Sequence, residues 1–174
     1  MNYGTVCRAT EKDVTGLVEL IKKTMINNPP KSIGKKHITD FIKGDAAQNL
    51  IKNAINQIVV LRVQEKLIGF AIINATETHL IELILIDSDY QRNGYGTYFF
   101  EKLYEKPYKI RAIDIYSRDI ATRSFVEKRN WEQRWKFRRN GEKLERLTYI
   151  APLDEIVLNL NFTDKDKEYI RDFW

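Results

Sequence analysis

The hydrophobic and polar positions of this chain follow two periods, one typical of helices and one typical of strands. Thr10 and Asp13 form a capping-box pattern before apolar residues at positions 14, 17, 18, 21 and 25, which predicts a helix that ends at Pro29-Pro30. Residues 58–63 and 67–75 are β-rich and predict a hairpin. Residues 80–86 are apolar almost throughout, which predicts a strand buried on both faces.

The other segments complete the order of elements. Strands are predicted at residues 3–9, 109–117, 131–139 and 144–151, and Asn140-Gly141 is a strong signal for a two-residue hairpin turn. Helices are predicted at residues 37–55, interrupted near Gly44, at residues 98–105, and after Asp119 as far as residue 129. The order β-α-α-β-β-β-α-β-α-β-β predicts an α/β (α+β) fold, with one mixed, mostly antiparallel sheet and helices on both faces.

Length and cysteine content narrow the class of protein. A chain of 174 residues is expected to form one domain with a substantial core. No apolar run reaches the ~20 residues that span a membrane. Cys7 is the single cysteine and there are two histidines, so neither an intramolecular disulfide nor a metal site is expected. A cytoplasmic location fits this composition best.

The charge distribution leaves two interpretations open. The net charge of +5 suits a protein that handles anions. Five basic residues lie between positions 134 and 143, with Trp135 and Phe137 interleaved, which is compatible with nucleic-acid binding. The favoured alternative is a solvated hairpin face, because charged and apolar residues alternate there.

A polar turn with two glycines follows the apolar strand and precedes a helix. Glycine permits a tight turn and close approach of a ligand, and the amide groups at a helix start attract anions. The spacing Gln91-x-x-Gly94-x-Gly96 resembles the acetyl-CoA pyrophosphate loop of the GNAT N-acetyltransferases, and the predicted element order resembles the GNAT fold over residues 5–151. The alternative is a tight strand-to-helix turn that binds no ligand.

The resemblance implies how acetyl-CoA (coenzyme A) would be bound. Backbone amides from Arg92 to Thr97 would hold the pyrophosphate, Arg92 would add a charged contact, and the backbone of the preceding strand would pair with the pantetheine arm. Asp119 matches a position that contacts pantetheine, although helix capping is its first expected role. The cofactor-binding residues so implied are Leu85, Ile86, Gln91, Arg92, Asn93, Gly94, Tyr95, Gly96, Thr97 and Asp119.

Acetylation of an amine also requires a group that accepts the amine proton. Glu82 is the candidate, because it is the charged residue within an otherwise apolar strand. The alternative is a structural ion pair with Arg62, Arg111 or another basic neighbour. His79, just before the strand, is a weaker candidate that we expect to be an ordinary surface residue.

The family's usual proton donor to the leaving thiolate is a tyrosine that aligns with Val126 of this chain, and valine cannot donate a proton. Tyr116 is taken as the candidate donor, and the alternatives are Tyr149, water or no donor at all. At the same motif Asn130 replaces a glycine, a mild change because asparagine tolerates the left-handed conformation.

The resemblance therefore implies an N-acetyltransferase that transfers acetyl from acetyl-CoA directly to a primary amine of a small molecule or of a peptide or protein. The alternatives are a toxin-type GNAT protein that acetylates aminoacyl-tRNA, a non-catalytic acyl-CoA-binding module, and a nucleic-acid-binding protein. Residues 1–152 are expected to form the GNAT domain. Residues 153–174 are expected to add a strand and a short helix that pack on the domain or on another subunit, so the protein would be a monomer or a homodimer.

Overall fold

The structure is a computed structural model that describes residues 3–27, 29, 35–74, 79–105, 107–138 and 145–152. The chain divides into two compact units, residues 1–113 and residues 114–174, and each is described by itself. The predicted turn at Asn140-Gly141, most of the polar loop before residue 37 and the predicted C-terminal extension lie outside the described residues.

In its described residues the first unit contains four α-helices and an antiparallel run of four strands. Along the sheet the order is β1-β2-β3-β4, and β5 lies beside β4 in parallel through the pairs Leu80–Ala112 and Ile81–Ile113. The elements are β1 (Thr5–Arg8), α1 (Val14–Asn27), α2 (Lys35–Lys43), α3 (Ala46–Ala54), β2 (Ile58–Val63), β3 (Lys66–Asn74), β4 (Leu80–Ile86), α4 (Tyr95–Tyr104) and the beginning of β5 (Ala112–Tyr116).

Local sequence signals account for several of these boundaries. The Asp13 carboxylate accepts a hydrogen bond from the Thr10 backbone N–H at 2.8 Å, which confirms the predicted capping interaction at the start of the first helical segment. The second helical region is two helices, as predicted, and α2 ends beside Gly44. Gln64 and Glu65 both have positive φ, 48° and 64°, which suits the two-residue turn between β2 and β3.

The core of the first unit joins α1 and α3 to one face of the sheet. It contains Leu17, Ile21 and Ile51 together with Val60 and Phe70, all of them fully or almost fully buried. Because side chains alternate along a strand, the buried Val59 and Leu61 point to the opposite face. The start of α4 lies near that face, since a Cβ at Gly96 would be 3.8 Å from Ile86 Cγ1.

Two sequence predictions for this unit need correction. The strand β4 is not buried on both faces: of its seven residues Ile81 is buried and the others are partly exposed. Within the first unit β5 pairs with only the first two residues of β4, so the later residues have a described strand neighbour on the β3 side alone. The helix α4 begins at Tyr95, three residues earlier than predicted, because Gly94 takes the left-handed conformation that starts it.

The second unit contains the rest of β5, α5 (Ile120–Glu127), β6 (Glu132–Phe137) and β7 (Arg146–Ile150), in the sheet order β5-β7-β6. The strands β6 and β7 are antiparallel, and Asn130 has a φ of 60°, in agreement with its predicted left-handed conformation. Together these elements confirm the predicted fold class of a mixed, mostly antiparallel sheet with helices. In the part of the chain that the structure describes, no helix is long and apolar enough to cross a membrane.

Candidate active site

A short turn connects β4 to the glycine loop, by which we mean residues 91–97. The backbone N–H of Asp87 donates to the carbonyl of Ile68 at 2.8 Å and holds the end of β4 against β3. A 3₁₀ turn, Ser88–Tyr90, follows, and the Asp87 carboxylate caps it by accepting the N–H of Asp89 at 3.1 Å. Because Asp87 is 4% exposed, this turn starts from a buried carboxylate whose polar atoms are hydrogen-bonded.

Gln91 closes the same turn from its other end. Its side-chain amide donates to the carbonyl of Ile86 at 2.8 Å, so the glutamine of the glycine motif supports the backbone at the end of β4. Since the backbone groups of alternate residues point to the same side, Leu85 and Asp87 direct theirs towards β3, and Ile84 and Ile86 direct theirs away from it. Ile84, which the sequence did not indicate, therefore offers backbone groups on the side where a ligand strand would pair.

Lys23 on α1 contacts the turn directly. Its ammonium group donates to both oxygens of Asp87, at 2.7 and 2.9 Å, and to Asp89 Oδ2 at 2.6 Å. The hydrogen bonds to Asp87 and Asp89 raise the pKa of Lys23, and the bond from Lys23 lowers the pKa of Asp89. A further bond joins Asn27 Nδ2 to Ser88 Oγ at 3.1 Å. We call the contact of Lys23 with Asp87 and Asp89 the Lys23 bridge.

The glycine loop leads directly into the first turn of α4. Gly94 has a φ of 83°, and its carbonyl accepts the N–H of Tyr98 at 2.9 Å, the first hydrogen bond of the helix. Gly96 lies within that turn, and Arg92 has a φ of 62° and is exposed. The first N–H groups of a helix have no acceptor within the helix, and the macrodipole adds positive potential there. The loop therefore presents donors and a guanidinium group suited to an anion.

Tyrosine side chains surround the Gly94 side of the loop. Tyr3 stacks on Tyr98 with ring centroids 5.1 Å apart and meets Tyr95 edge-on at 5.6 Å. Tyr95 also contacts the ring of Tyr90, with centroids 5.7 Å apart. A Cβ at Gly94 would lie 3.1 Å from the Tyr3 hydroxyl oxygen. No pattern in the sequence indicated Tyr3, because its contacts are with residues about 90 positions away.

Glu82 lies at a β-bulge of β4. The register passes from the pair Ile72–Leu83 to the pair Ile73–Ile81, so Glu82 is the additional residue of the bulge. Its Oε1 accepts a hydrogen bond from Asn74 Nδ2 at 3.3 Å, and the residue is partly exposed. Bulges redirect a side chain out of the regular alternation and occur often near active sites.

The basic residues that were the alternative partners of Glu82 make other contacts. Arg62 forms a salt bridge with Asp13. Arg111 Nη1 donates to the carbonyls of Ile110 at 2.8 Å and Tyr104 at 3.1 Å. These contacts weigh against an ion pair of Glu82 with either arginine.

In the second unit, Tyr116 and Asp119 lie at the two ends of the turn between β5 and α5. The Tyr116 hydroxyl accepts a hydrogen bond from Arg146 Nη2 at 2.9 Å. Asp119 caps α5 as predicted: its carboxylate accepts from the backbone N–H of Thr122 at 3.1 Å and from the Thr122 hydroxyl at 2.6 Å. Capping is thus a role of Asp119 that requires no ligand.

Tyr149 is buried in a polar network of the second unit. Its hydroxyl donates to Glu127 Oε1 at 2.6 Å and accepts from Arg123 Nε at 3.2 Å. Burial raises the pKa of Tyr149, and the bond to Glu127 acts in the same direction. Val126, at the position of the family's tyrosine, is fully buried. Of the two tyrosines, Tyr149 is therefore the poorer candidate for proton donation.

The basic residues of β6 are partly neutralised by carboxylates in the second unit. Arg134 pairs with Glu132 at 2.6 Å, and Lys136 pairs with Glu145 at 3.1 Å. Both basic side chains are about half exposed, and β6 lies at the edge of the sheet. These pairs agree better with a solvated strand than with a surface built for phosphates.

Among the residues that the structure describes, no group of three or more histidine, cysteine, aspartate or glutamate side chains is arranged to hold a metal ion.

A family profile described as "Acetyltransferase (GNAT) domain" matches residues 18–140, which include most of α1, the Glu82 bulge and the glycine loop. The chain belongs to the GNAT acetyltransferase family. This membership confirms the family resemblance that the sequence showed, and it supports an acyltransferase. No curated protein matches the chain in sequence.

Solved GNAT structures share the fold at low sequence identity. The PaiA N-acetyltransferase of Thermoplasma acidophilum, solved in complex with coenzyme A, has a TM-score of 0.67 at 11% identity, covering 85% of this chain and 98% of the other. A GCN5-related N-acetyltransferase of Rhodopseudomonas palustris has a TM-score of 0.68 at 14% identity, covering 88% and 98%. The ribosomal-protein-S18-alanine N-acetyltransferase of Escherichia coli has a TM-score of 0.60 at 16% identity, covering 91% and 99%.

In this GNAT protein the predicted cofactor residues of the first unit lie on one continuous segment, which runs from Leu85 at the end of β4 through the glycine loop. Glu82 lies on the same strand, four residues before Ile86, whereas Tyr116 and Asp119 belong to the second unit. The sequence did not indicate Lys23, Tyr3 or Ile84. Because backbone groups alternate along a strand, the sequence shows that Ile84 and Ile86 direct theirs to the same side of β4. Which side that is follows only from the pairing of β4 with β3.

Proposed function

We propose that this GNAT protein is an acetyl-CoA-dependent N-acetyltransferase that transfers acetyl directly to a primary amine. The observation that carries this proposal is the glycine loop, which starts a helix one short turn after the end of β4, where Ile84 and Ile86 direct their backbone groups away from β3. The family profile supports the same reaction class, and a solved structure of similar fold contains coenzyme A.

The glycine loop would hold the pyrophosphate of the cofactor. The N–H groups from Arg92 to Thr97 supply the donors, with Asn93, Gly94, Tyr95 and Gly96 between them, and the Arg92 guanidinium suits a phosphate oxygen. A Cβ at Gly96 would make an ordinary van der Waals contact with Ile86 Cγ1, at 3.8 Å, so the protein does not crowd the second residue of α4. The donor set and the positive helix start fit a dianionic group.

The end of β4 would pair with the pantetheine arm through Ile84 and Ile86. The sequence indicated Leu85 for this pairing, but Leu85 directs its backbone groups towards β3. Ile84 would therefore pair with the arm in its place. The Ile86 carbonyl already accepts from Gln91, which fixes the peptide that would meet the arm. A backbone N–H at this position would polarise the thioester carbonyl.

Acetyl-CoA supplies an activated acetyl group as a thioester, and the protein must remove a proton from the amine. Glu82 would accept that proton, directly or through water, because the bulge turns it out of the regular alternation of the strand. Tyr116 would donate a proton to the leaving thiolate. A thiolate with an ordinary pKa near 8.5 leaves without much assistance, so the buried Val126 does not prevent turnover.

The acceptor in this proposal is a primary amine of a small molecule or of a peptide or protein. An aminoacyl-tRNA acceptor is less favoured, because Glu132 and Glu145 pair with basic side chains of the hairpin. A tRNA acceptor would require salt-sensitive binding of RNA that is lost when Arg134 and Arg138 are replaced by glutamine.

A non-catalytic acyl-CoA-binding module is the second candidate, favoured by Val126 at the position of the family's tyrosine. Release of free thiol from acetyl-CoA separates the two candidates. Amine-dependent thiol release with a panel of polyamines, peptides with free N-termini and aminoacyl-tRNA supports the enzyme. Binding without thiol release across that panel supports the module.

The first test is calorimetric titration of the purified protein with acetyl-CoA. We expect micromolar binding at about one site per chain, which is typical of cofactor binding. Gly94→Glu should abolish this binding, because a bulky anion would occupy the loop. Asn53→Glu is the control, because it adds the same charge at an exposed position of α3. Failure of the wild-type protein to bind at millimolar acetyl-CoA would overturn the proposal.

A further inference from the structure

The Lys23 bridge is more than a surface ion pair. Three carboxylate oxygens accept from one ammonium group at 2.6 to 2.9 Å, which is the full donor capacity of a lysine. The Asp87 side chain is 5% exposed, whereas that of Asp89 is 62% exposed, so the bridge extends from the interior to the surface. A carboxylate as buried as Asp87 requires a partner, and Lys23 supplies it.

The bridge acts on the part of the chain that leads into the glycine loop. Asp87 and Asp89 are the residues on either side of Ser88, and Gln91 follows two positions after Asp89. The Asp87 carboxylate binds Lys23 and caps the turn at the same time, so α1 fixes the turn through this one side chain. The Gln91 bond to Ile86 closes the turn at its other end.

The bridge also changes the charge next to the loop. Two carboxylates immediately before a site for a pyrophosphate would repel it, and the ammonium group of Lys23 neutralises one of the two negative charges. Lys66 acts on Asp89 in the same direction, since it lowers the pKa of that carboxylate after the larger effect of Lys23. Geometry and charge therefore both depend on Lys23.

We propose that Lys23 is a positioning residue for the cofactor: through Asp87 and Asp89 it sets the geometry and the charge of the glycine loop that binds pyrophosphate. This inference rests on the proposed function, because it assumes that the loop binds acetyl-CoA. Lys23 itself need not touch the cofactor.

The test is calorimetric titration with coenzyme A of the wild-type protein and of Lys23→Met, Lys23→Arg and Lys22→Met. Lys22 is the matched control, because it is the adjacent lysine and makes no ion pair with any residue that the structure describes. We expect Lys23→Met to raise the Kd about tenfold or more at unchanged stoichiometry, because small displacements of binding groups are costly. Lys23→Arg and Lys22→Met should stay within about threefold of the wild type.

The stoichiometry separates positioning from folding. A loss of folded protein lowers the number of sites per chain and leaves the Kd unchanged. That result for Lys23→Met would overturn the inference. An unchanged Kd at full stoichiometry would overturn it as well. If Lys23→Met does not fold, Lys23→Gln retains an amide donor and is judged by the same tenfold criterion. Partial recovery of affinity when the exposed Asp89 is changed to Asn in the Lys23→Met background would support the contribution of charge.

The same titration distinguishes this inference from the proposed function. If the wild-type protein does not bind coenzyme A, both the proposed function and this inference are refuted. If the wild type binds and Lys23→Met binds equally well, the inference alone is refuted.

Discussion

Gly94 and Gly96 are expected to respond differently to the same substitution by alanine. Gly94 has a φ of 83°, where a residue with a Cβ costs about 1–2 kcal/mol relative to glycine. The new Cβ would also lie 3.1 Å from the Tyr3 hydroxyl oxygen and 3.3 Å from its Cε1, so the Tyr3 ring must move by a few tenths of an ångström, which disturbs its contacts with Tyr98 and Tyr95. Each aromatic pair contributes about 0.5–1.5 kcal/mol.

Gly94→Ala should therefore lower the free energy of unfolding by about 1–3 kcal/mol, the lower limit applying if Tyr3 moves without losing its ring contacts. Gly96 is the matched control, because it lies in the first turn of α4 with a Cβ position 3.8 Å from Ile86 Cγ1, an ordinary contact. Gly96→Ala should leave stability unchanged or raise it by about 0.5–1 kcal/mol, because alanine loses less backbone entropy in a helix.

The assay is urea unfolding followed by far-UV circular dichroism. Tryptophan fluorescence is unsuitable, because the described tryptophans, Trp131 and Trp135, are in the second unit and the change is in the first. A Tyr3→Ala background should remove the steric part of the Gly94→Ala effect and leave the backbone part of about 1–2 kcal/mol. Equal destabilisation by the two alanine substitutions would refute the described start of α4 and its contact with Tyr3.

The remaining predictions concern the base, an acidic cap and a buried hydroxyl. Glu82→Gln should lower turnover about a hundredfold or more in an acetyl-transfer assay, with the Kd for acetyl-CoA within about twofold, and unchanged turnover would make Glu82 structural. Burial acts to raise the pKa of Asp13, but bonds from Thr10 and Arg62 outweigh it and hold the pKa of this carboxyl below its usual value. The unfolding free energy of the wild type should therefore exceed that of Asp13→Asn by about 1–3 kcal/mol at pH 7. This difference should be lost as the pH falls through the lowered pKa of Asp13. A difference that stays constant with pH contradicts the prediction. Tyr149→Phe should cost about 1–2 kcal/mol by urea unfolding, and no loss would mean that water replaces the bond to Glu127.

Local sequence signals predicted the elements well where the cause is itself local. Thr10 and Asp13 lie within one turn of each other, so their hydrogen bond could be predicted from spacing alone. Asp119 likewise caps α5 through Thr122, three residues later. The start of α4 was misplaced by three residues, because glycine is a poor helix former and the sequence does not show that Gly94 is the left-handed cap.

The glycine loop is the part of the candidate site that the sequence determined by itself, together with the order of strands and helices. Both follow from hydrophobic period and from backbone requirements that act over a few residues. Family membership is contained in the same short patterns, and the profile match agrees with them.

Tertiary structure decided how the site is supported and in which direction its groups point. Lys23 and Asp87 are 64 residues apart in the sequence. Tyr3, near the start of the sequence, contacts Tyr95 in the glycine loop. Glu82 occupies a bulge that exists only in the pairing of β3 with β4. The outward direction of Ile84 and Ile86 depends on the same register. Such features arise from contacts between segments distant in the chain, and a shift of register by one residue would reverse every direction, so no local pattern of residues encodes them.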